Sequence, residues 1–228
     1  MPIKPILRMK AWSYSRLSEY NLCPLKASLH HLQKIDEPKG PALLRGSQIH
    51  EEAEAYATGR LKKLPDSLKL FAEEFKDLAK RRKYLQVEQQ VAFDKAWKPC
   101  DWFGADAWLR VVMDAYYVDG DKLVVVDHKT GKVRPENVEQ LDLYAVAGFI
   151  LHPEVTTVDA QLWYLVQGEQ VTRSYTLADA AKLQKVWTKK PAKMLADTTF
   201  KPTPGGGCRY CWYSQAAKVK GGGGQCKF

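Results

Sequence analysis

A chain of 228 residues, 45% hydrophobic and 27% charged, can bury a substantial core without disulfides and is excluded from the disordered and fibrous classes. Thirty-five Lys and Arg against 26 Asp and Glu give a formal net charge of +9, which favours a polyanionic partner, nucleic acid first. No stretch reaches the roughly 18 apolar residues of a membrane span, and the N-terminal "MPIKPILRMKAWSYS" lacks the apolar core of a signal peptide, so a cytoplasmic protein with no membrane partner is expected.

Leu17, Tyr20, Leu22, Leu25, Leu29 and Leu32 recur at three- and four-residue spacing, predicting helix from Ser13 to about Lys34 with a break near Pro24. "DEPKGP" ends it. A second helix is expected from about Ala42 through "LLRGSQIHEEAEAYATG", and a third over "SLKLFAEEFKDLAKRRKYL". The period then changes to two: "LQVEQQVAF", "AWLRVVMDAYYV" and "KLVVVDHK" read as strands, the last two joined by the tight-turn signal "DGDK". "PENVEQLDLYAVAGFILH" predicts a helix apolar around much of its surface, suited to packing on a sheet. Two strands, "VTTVDAQLWYLVQ" and "EQVTRSYTL", and a helix, "ADAAKLQKVWTKKPAKML", precede a Gly-rich, cysteine-bearing tail. The expected fold is α/β, a mixed central sheet flanked by helices. It reads as one domain over residues 1–228: a helical region 1–85, a sheet core 86–196 and a tail 197–228.

A run as apolar as "KLVVV" belongs in a core, yet it ends by placing Asp127 and Lys129 two residues apart, and buried charges are costly unless paired or bound to a metal. A two-residue turn centred on Asp119-Gly120 sets Asp114 diagonal to Asp127, and one centred on Gly120-Asp121 sets them opposite. In either register both carboxylates and Lys129 share one face. Asp114 stands among apolar and aromatic neighbours in "RVVMDAYY", and such hard oxygen ligands suit Mg²⁺ or Mn²⁺. Glu88 and Glu54 are further acidic candidates.

These residues resemble the PD-(D/E)XK nucleases, in particular the RecB-like branch with its AddB-type and CRISPR-associated exonucleases. The family's acidic strand end, D-x-K and Q-x-x-x-Y correspond to Asp114, Asp127-His128-Lys129 and Gln140 to Tyr144, and its upstream G-x-x-x-H to Gly46 through His50. Val111 departs from the glycine the family often carries three residues before the first aspartate. The resemblance implies a metal held by His50, Asp114, Asp127 and the backbone carbonyl of His128. It also implies a catalytic Lys129 and a DNA path lined by Gln140 and Tyr144. A metal-dependent deoxyribonuclease acting on DNA ends or single strands is expected. The alternatives are a non-catalytic nucleic-acid-binding protein and a structure- or sequence-specific endonuclease.

"CRYC" from Cys208 to Cys211 is, by itself, a zinc half-site or chance, with Cys226 fifteen residues later. One N-terminal cysteine, Cys23 in "S-x-L-x-x-Y-x-x-C-P", followed by three C-terminal ones resembles the iron-sulfur staple of the same exonucleases. A [4Fe-4S] cluster, or alternatively structural Zn²⁺, on Cys23, Cys208, Cys211 and Cys226 would tie the chain ends together. Cys100 is left as an ordinary thiol. The small size and absence of a helicase motif suggest a phage or prokaryotic enzyme, stand-alone or working with a helicase or recombination partner. Oligomeric state does not follow from the sequence.

Overall fold

In a computed structural model describing residues 8–215 and 223–228, the chain divides into two compact units. Lys39–Thr188 forms one, and the chain ends, Met1–Pro38 and Lys189–Phe228, form the other. Helices α3 (Pro41–Thr58) and α4 (Ala72–Lys80) share a core with the sheet, in which Ile49, Ala53, Phe71 and Phe75 pack with Ala115, Val124, Val126 and Trp163.

The larger unit carries a six-stranded sheet in the order β2-β1-β3-β4-β5-β6. Its strands are β1 (Gln86–Phe93), β2 (Pro99–Cys100), β3 (Leu109–Asp119), β4 (Lys122–Lys129), β5 (Thr157–Tyr164) and β6 (Glu169–Thr176). All neighbours are antiparallel except β4 and β5. That parallel pair requires a crossover, supplied by α5 (Glu139–Leu151). Leu141, Leu143 and every residue from Tyr144 to Phe149 are buried in α5, as expected of a helix apolar on nearly all sides. Gly148 is required there: a Cβ would come within 2.6 Å of Leu123 Cδ2 and 3.3 Å of Val158 Cγ2. The fold is thus the mixed α/β sheet flanked by helices.

In the other unit, α1 (Tyr14–Leu22) is capped by the Ser13 side chain and ends at the extended Cys23, and Pro24 opens α2 (Pro24–His31), so the break falls where proline demands it. Tyr20 donates to Asp197 Oδ2 at 2.8 Å and Tyr213 to the Ile35 carbonyl at 2.7 Å. Helix α6 (Leu177–Lys189) belongs, but for Lys189, to the larger unit, and α7 (Ala192–Ala196) follows Pro191 in the unit of the chain ends. No described helix is long and apolar enough to cross a membrane.

Candidate active site

Asp119 pairs with Lys122, so the β3–β4 turn is centred on Gly120-Asp121, with Gly120 at φ +64°. This register sets Asp114 across from Asp127. The ladder nevertheless stops one rung earlier, at Ala115 with Val126. In its place Asp114 Oδ2 accepts the His128 backbone N–H at 2.7 Å. Where the strands part, that same oxygen lies 3.4 Å from His50 Nδ1 and 3.7 Å from His128 Nδ1.

Asp127 is only 4% exposed and is held from several sides. Its Oδ2 lies 2.6 Å from Lys129 Nζ, and Oδ1 accepts from the Tyr144 hydroxyl and from Gln140 Nε2. Lys129 also donates to Gln140 Oε1 at 2.9 Å. Gln140 and Tyr144 share a face of α5 by their four-residue spacing, as the sequence predicts. Both also hydrogen-bond to Asp127. Tyr144 is 1% exposed, so its ring has no face to offer a base, and its phenol acts on Asp127.

Helix α3 reaches this point because Gly46 lacks a side chain: a Cβ there would stand 2.9 Å from Thr130 Oγ1, directly after Lys129. One turn further along α3, His50 meets Asp114. A cleft of about 710 Å³ opens here, lined by Gly46, Ser47, His50, Glu54, Glu88 and Thr130 among others. Glu88 occupies the position across from Asp114, between the pairs Val87 with Ala115 and Gln89 with Met113. Its φ of +48° is a left-handed conformation that non-glycine residues adopt only when the surroundings enforce it.

The electrostatics follow from burying acids side by side. Burial first, then the charges of Asp127 and Glu88, push the Asp114 carboxyl well above its usual range, against the pull of the His128 N–H and Lys129. Burial and the charge of Glu54 raise Glu88. Burial, with His50 and Lys129, drives the His128 imidazole down to about 3, so it is neutral and able to ligate. Burial also lowers His50. Burial and the two aspartates raise the Tyr144 phenol well above its usual value, keeping it a donor.

Ligand atoms of His50, Asp114 and His128 lie within 4.8 Å of one another. The donors fit a divalent cation: carboxylate oxygens with excess negative charge, joined by neutral imidazole. The ring of His128 joins this set, whereas the sequence reading gives that residue only a carbonyl role. Nothing in the sequence marks the ring, because its approach depends on where β3 and β4 separate. Glu88 and Glu54 stand in the cleft as further acids.

Cys23, Cys208, Cys211 and Cys226 fall in the unit formed by the chain ends, and all are partly exposed free thiols. Cys23 Sγ accepts from the Thr203 N–H at 3.5 Å and Cys208 Sγ from the Gly205 N–H at 3.4 Å. Cys226 sits in a bridge with Ser214. Among the described residues no three thiols converge within 4.8 Å as the ligand atoms of His50, Asp114 and His128 do. Cys100 lies on the short edge strand β2.

Among curated proteins none matches this chain in sequence. Solved structures similar to it include that of SSO0001, at 13% identity and a TM-score of 0.48, with 92% of this chain and 87% of that one aligned. Another is a candidate exonuclease from Eubacterium rectale, at 14% identity and a TM-score of 0.48, with 90% and 88% aligned. The sequence profile of the PD-(D/E)XK nuclease superfamily matches residues 11–216, a span containing both aspartates, the lysine and the Gln140–Tyr144 pair. The chain belongs to the PD-(D/E)XK nuclease superfamily.

Proposed function

We propose that the protein is a divalent-metal-dependent deoxyribonuclease of the RecB-like branch, an exonuclease working on DNA ends or single strands, alone or beside a helicase or recombination partner. One observation carries this reading: the half-buried Asp114 and the buried Asp127 stand on adjacent strands where β3 and β4 part, Asp114 accepting the His128 N–H and Asp127 bonded to Lys129. Such an arrangement is costly to bury, and nucleic-acid binding alone does not require it. Asp114, Asp127, His50 and His128 would hold the ion, and imidazole donors suit Mn²⁺ better than Mg²⁺. When bound, such an ion lowers the pKa of a water and polarises a phosphoryl oxygen.

The protein's own groups supply the rest. Lys129, fixed between Asp127 and Gln140, presents its ammonium to the charge that builds on the phosphate or to the attacking water. Tyr144 and Gln140 lock the Asp127 carboxylate in one orientation, so no side-chain reorganisation is needed during reaction. A net charge of +9 supports a phosphate-backbone substrate. Exonuclease action rests on the resemblance of the ordered motifs to the RecB-like branch.

Cys23, Cys208, Cys211 and Cys226 are assigned to a [4Fe-4S] cluster, with structural zinc the alternative. Backbone N–H groups aimed at Cys23 and Cys208 support thiolate chemistry.

The test uses end-labelled single-stranded, duplex and circular DNA, with labelled RNA in parallel, in Mg²⁺ or Mn²⁺. Mononucleotides or short oligonucleotides released from linear DNA, with circles intact, are expected. Cut circles would make the protein an endonuclease, preferred hydrolysis of RNA would overturn the DNA assignment, and binding without hydrolysis would make it non-catalytic.

A further inference from the structure

We propose that Glu19, His30 and His31 form an additional metal site, for a Zn²⁺-class ion, in the unit built from the chain ends. His30 Nδ1 lies 3.1 Å and His31 Nε2 2.9 Å from the same oxygen, Glu19 Oε2. Ligand atoms of all three residues fall within 4.8 Å of one another. Tetrahedral ligands about 2.0–2.1 Å from zinc lie about 3.3 Å apart, so both ring-to-carboxylate separations need change by only tenths of an ångström to admit one ion in place of the ring protons. Two imidazoles and a carboxylate, with a fourth position open to water, form a donor set that zinc accepts.

The convergence is not what consecutive helical residues do by default, since neighbouring side chains diverge by about 100°. Here the imidazole rings stack at 4.3 Å. Helix α2 loosens where they stand, with the N–H groups of both Leu32 and Gln33 directed to the Ser28 carbonyl at 3.0 Å. A single hydrogen bond would satisfy Glu19 on one side, yet two rings are brought to one oxygen. The end of α2 also favours a cation, because helix carbonyls leave partial negative charge there. Lys26 Nζ, 3.5 Å from Glu19 Oε1, already lies 3.6 Å from Glu37 Oε2 and can shift to that partner when an ion enters. An ion held here would brace α1 against α2 at the corner that carries Cys23.

The test is titration of metal-stripped, full-length protein with Zn²⁺ while the ring nitrogen signals of each histidine are followed by NMR. His30 and His31 are expected to shift together and saturate at one equivalent, independently of His50 and His128, and Glu19→Gln to abolish that shared response. Rings of His30 and His31 that stay unchanged in excess Zn²⁺ while other histidines respond would overturn the site. An undiminished response in Glu19→Gln would also overturn it. The parent titration stands by itself if the variant folds poorly.

Discussion

Asp127 shows how a single carboxylate is made ready for chemistry: an ammonium sits on one oxygen, and a phenol and an amide donate to the other. A hydrogen bond to a buried charge contributes about 1.5–3 kcal/mol. Tyr144→Phe keeps the packing but removes that donor, and single-turnover cleavage should slow about ten- to a hundredfold with DNA affinity unchanged. A parent-like rate would show that the phenol does not orient Asp127. Strand periodicity sets Asp114, Asp127 and Lys129 on one face, and helix periodicity sets Gln140 and Tyr144 on another; it was the resemblance to the nuclease motifs that singled out the last two. The ring of His128 and the position of Glu88 could not be placed from the sequence. One depends on the strands parting and the other on a left-handed residue inside β1, and both are imposed by tertiary structure.

Helix α3 is set by the absence of one methyl group, since a Cβ on Gly46 would press on Thr130 Oγ1. Gly46→Val should therefore displace His50 and cut the cleavage rate at least tenfold, while costing about 1–3 kcal/mol of stability. Activity and the denaturant midpoint, measured on the same preparation, check both. Asp197 anchors the other unit. Burial works upward on its carboxyl, but N–H groups of Phe200 and Thr199 and the Tyr20 hydroxyl hold it down to about 2. Because the folded value lies below the ordinary one, its stabilisation is present above about pH 4 and lost as pH falls towards 2. Asp197→Asn should flatten melting temperature against pH in that window, and an unchanged slope would contradict the assignment. Element boundaries were less legible than element types. The expected third helix opens as a 3-10 turn at Asp66–Phe71, because Phe71 adopts a non-helical backbone. Strand β2 is two residues long, too short to show any period.

At the scale of the whole molecule, charge and site point to the same substrate. A chain at +9 that follows a phosphate backbone releases counterions, so the affinity for single strands should fall with a log-log slope of about 0.7 per neutralised phosphate. Fluorescence anisotropy across a salt series measures it, and a flat response would remove nucleic acid as the main partner. The mixed sheet was legible because its strands are strongly patterned. The most direct measurement compares Mn²⁺-supported hydrolysis of a labelled single strand by the parent, Asp127→Ala and Lys129→Ala, with binding measured alongside. Loss of several kcal/mol of transition-state stabilisation should reduce both variants by at least about a thousandfold, each 1.4 kcal/mol being tenfold, while binding persists. Parent-like hydrolysis in either variant would contradict the assignment of this site.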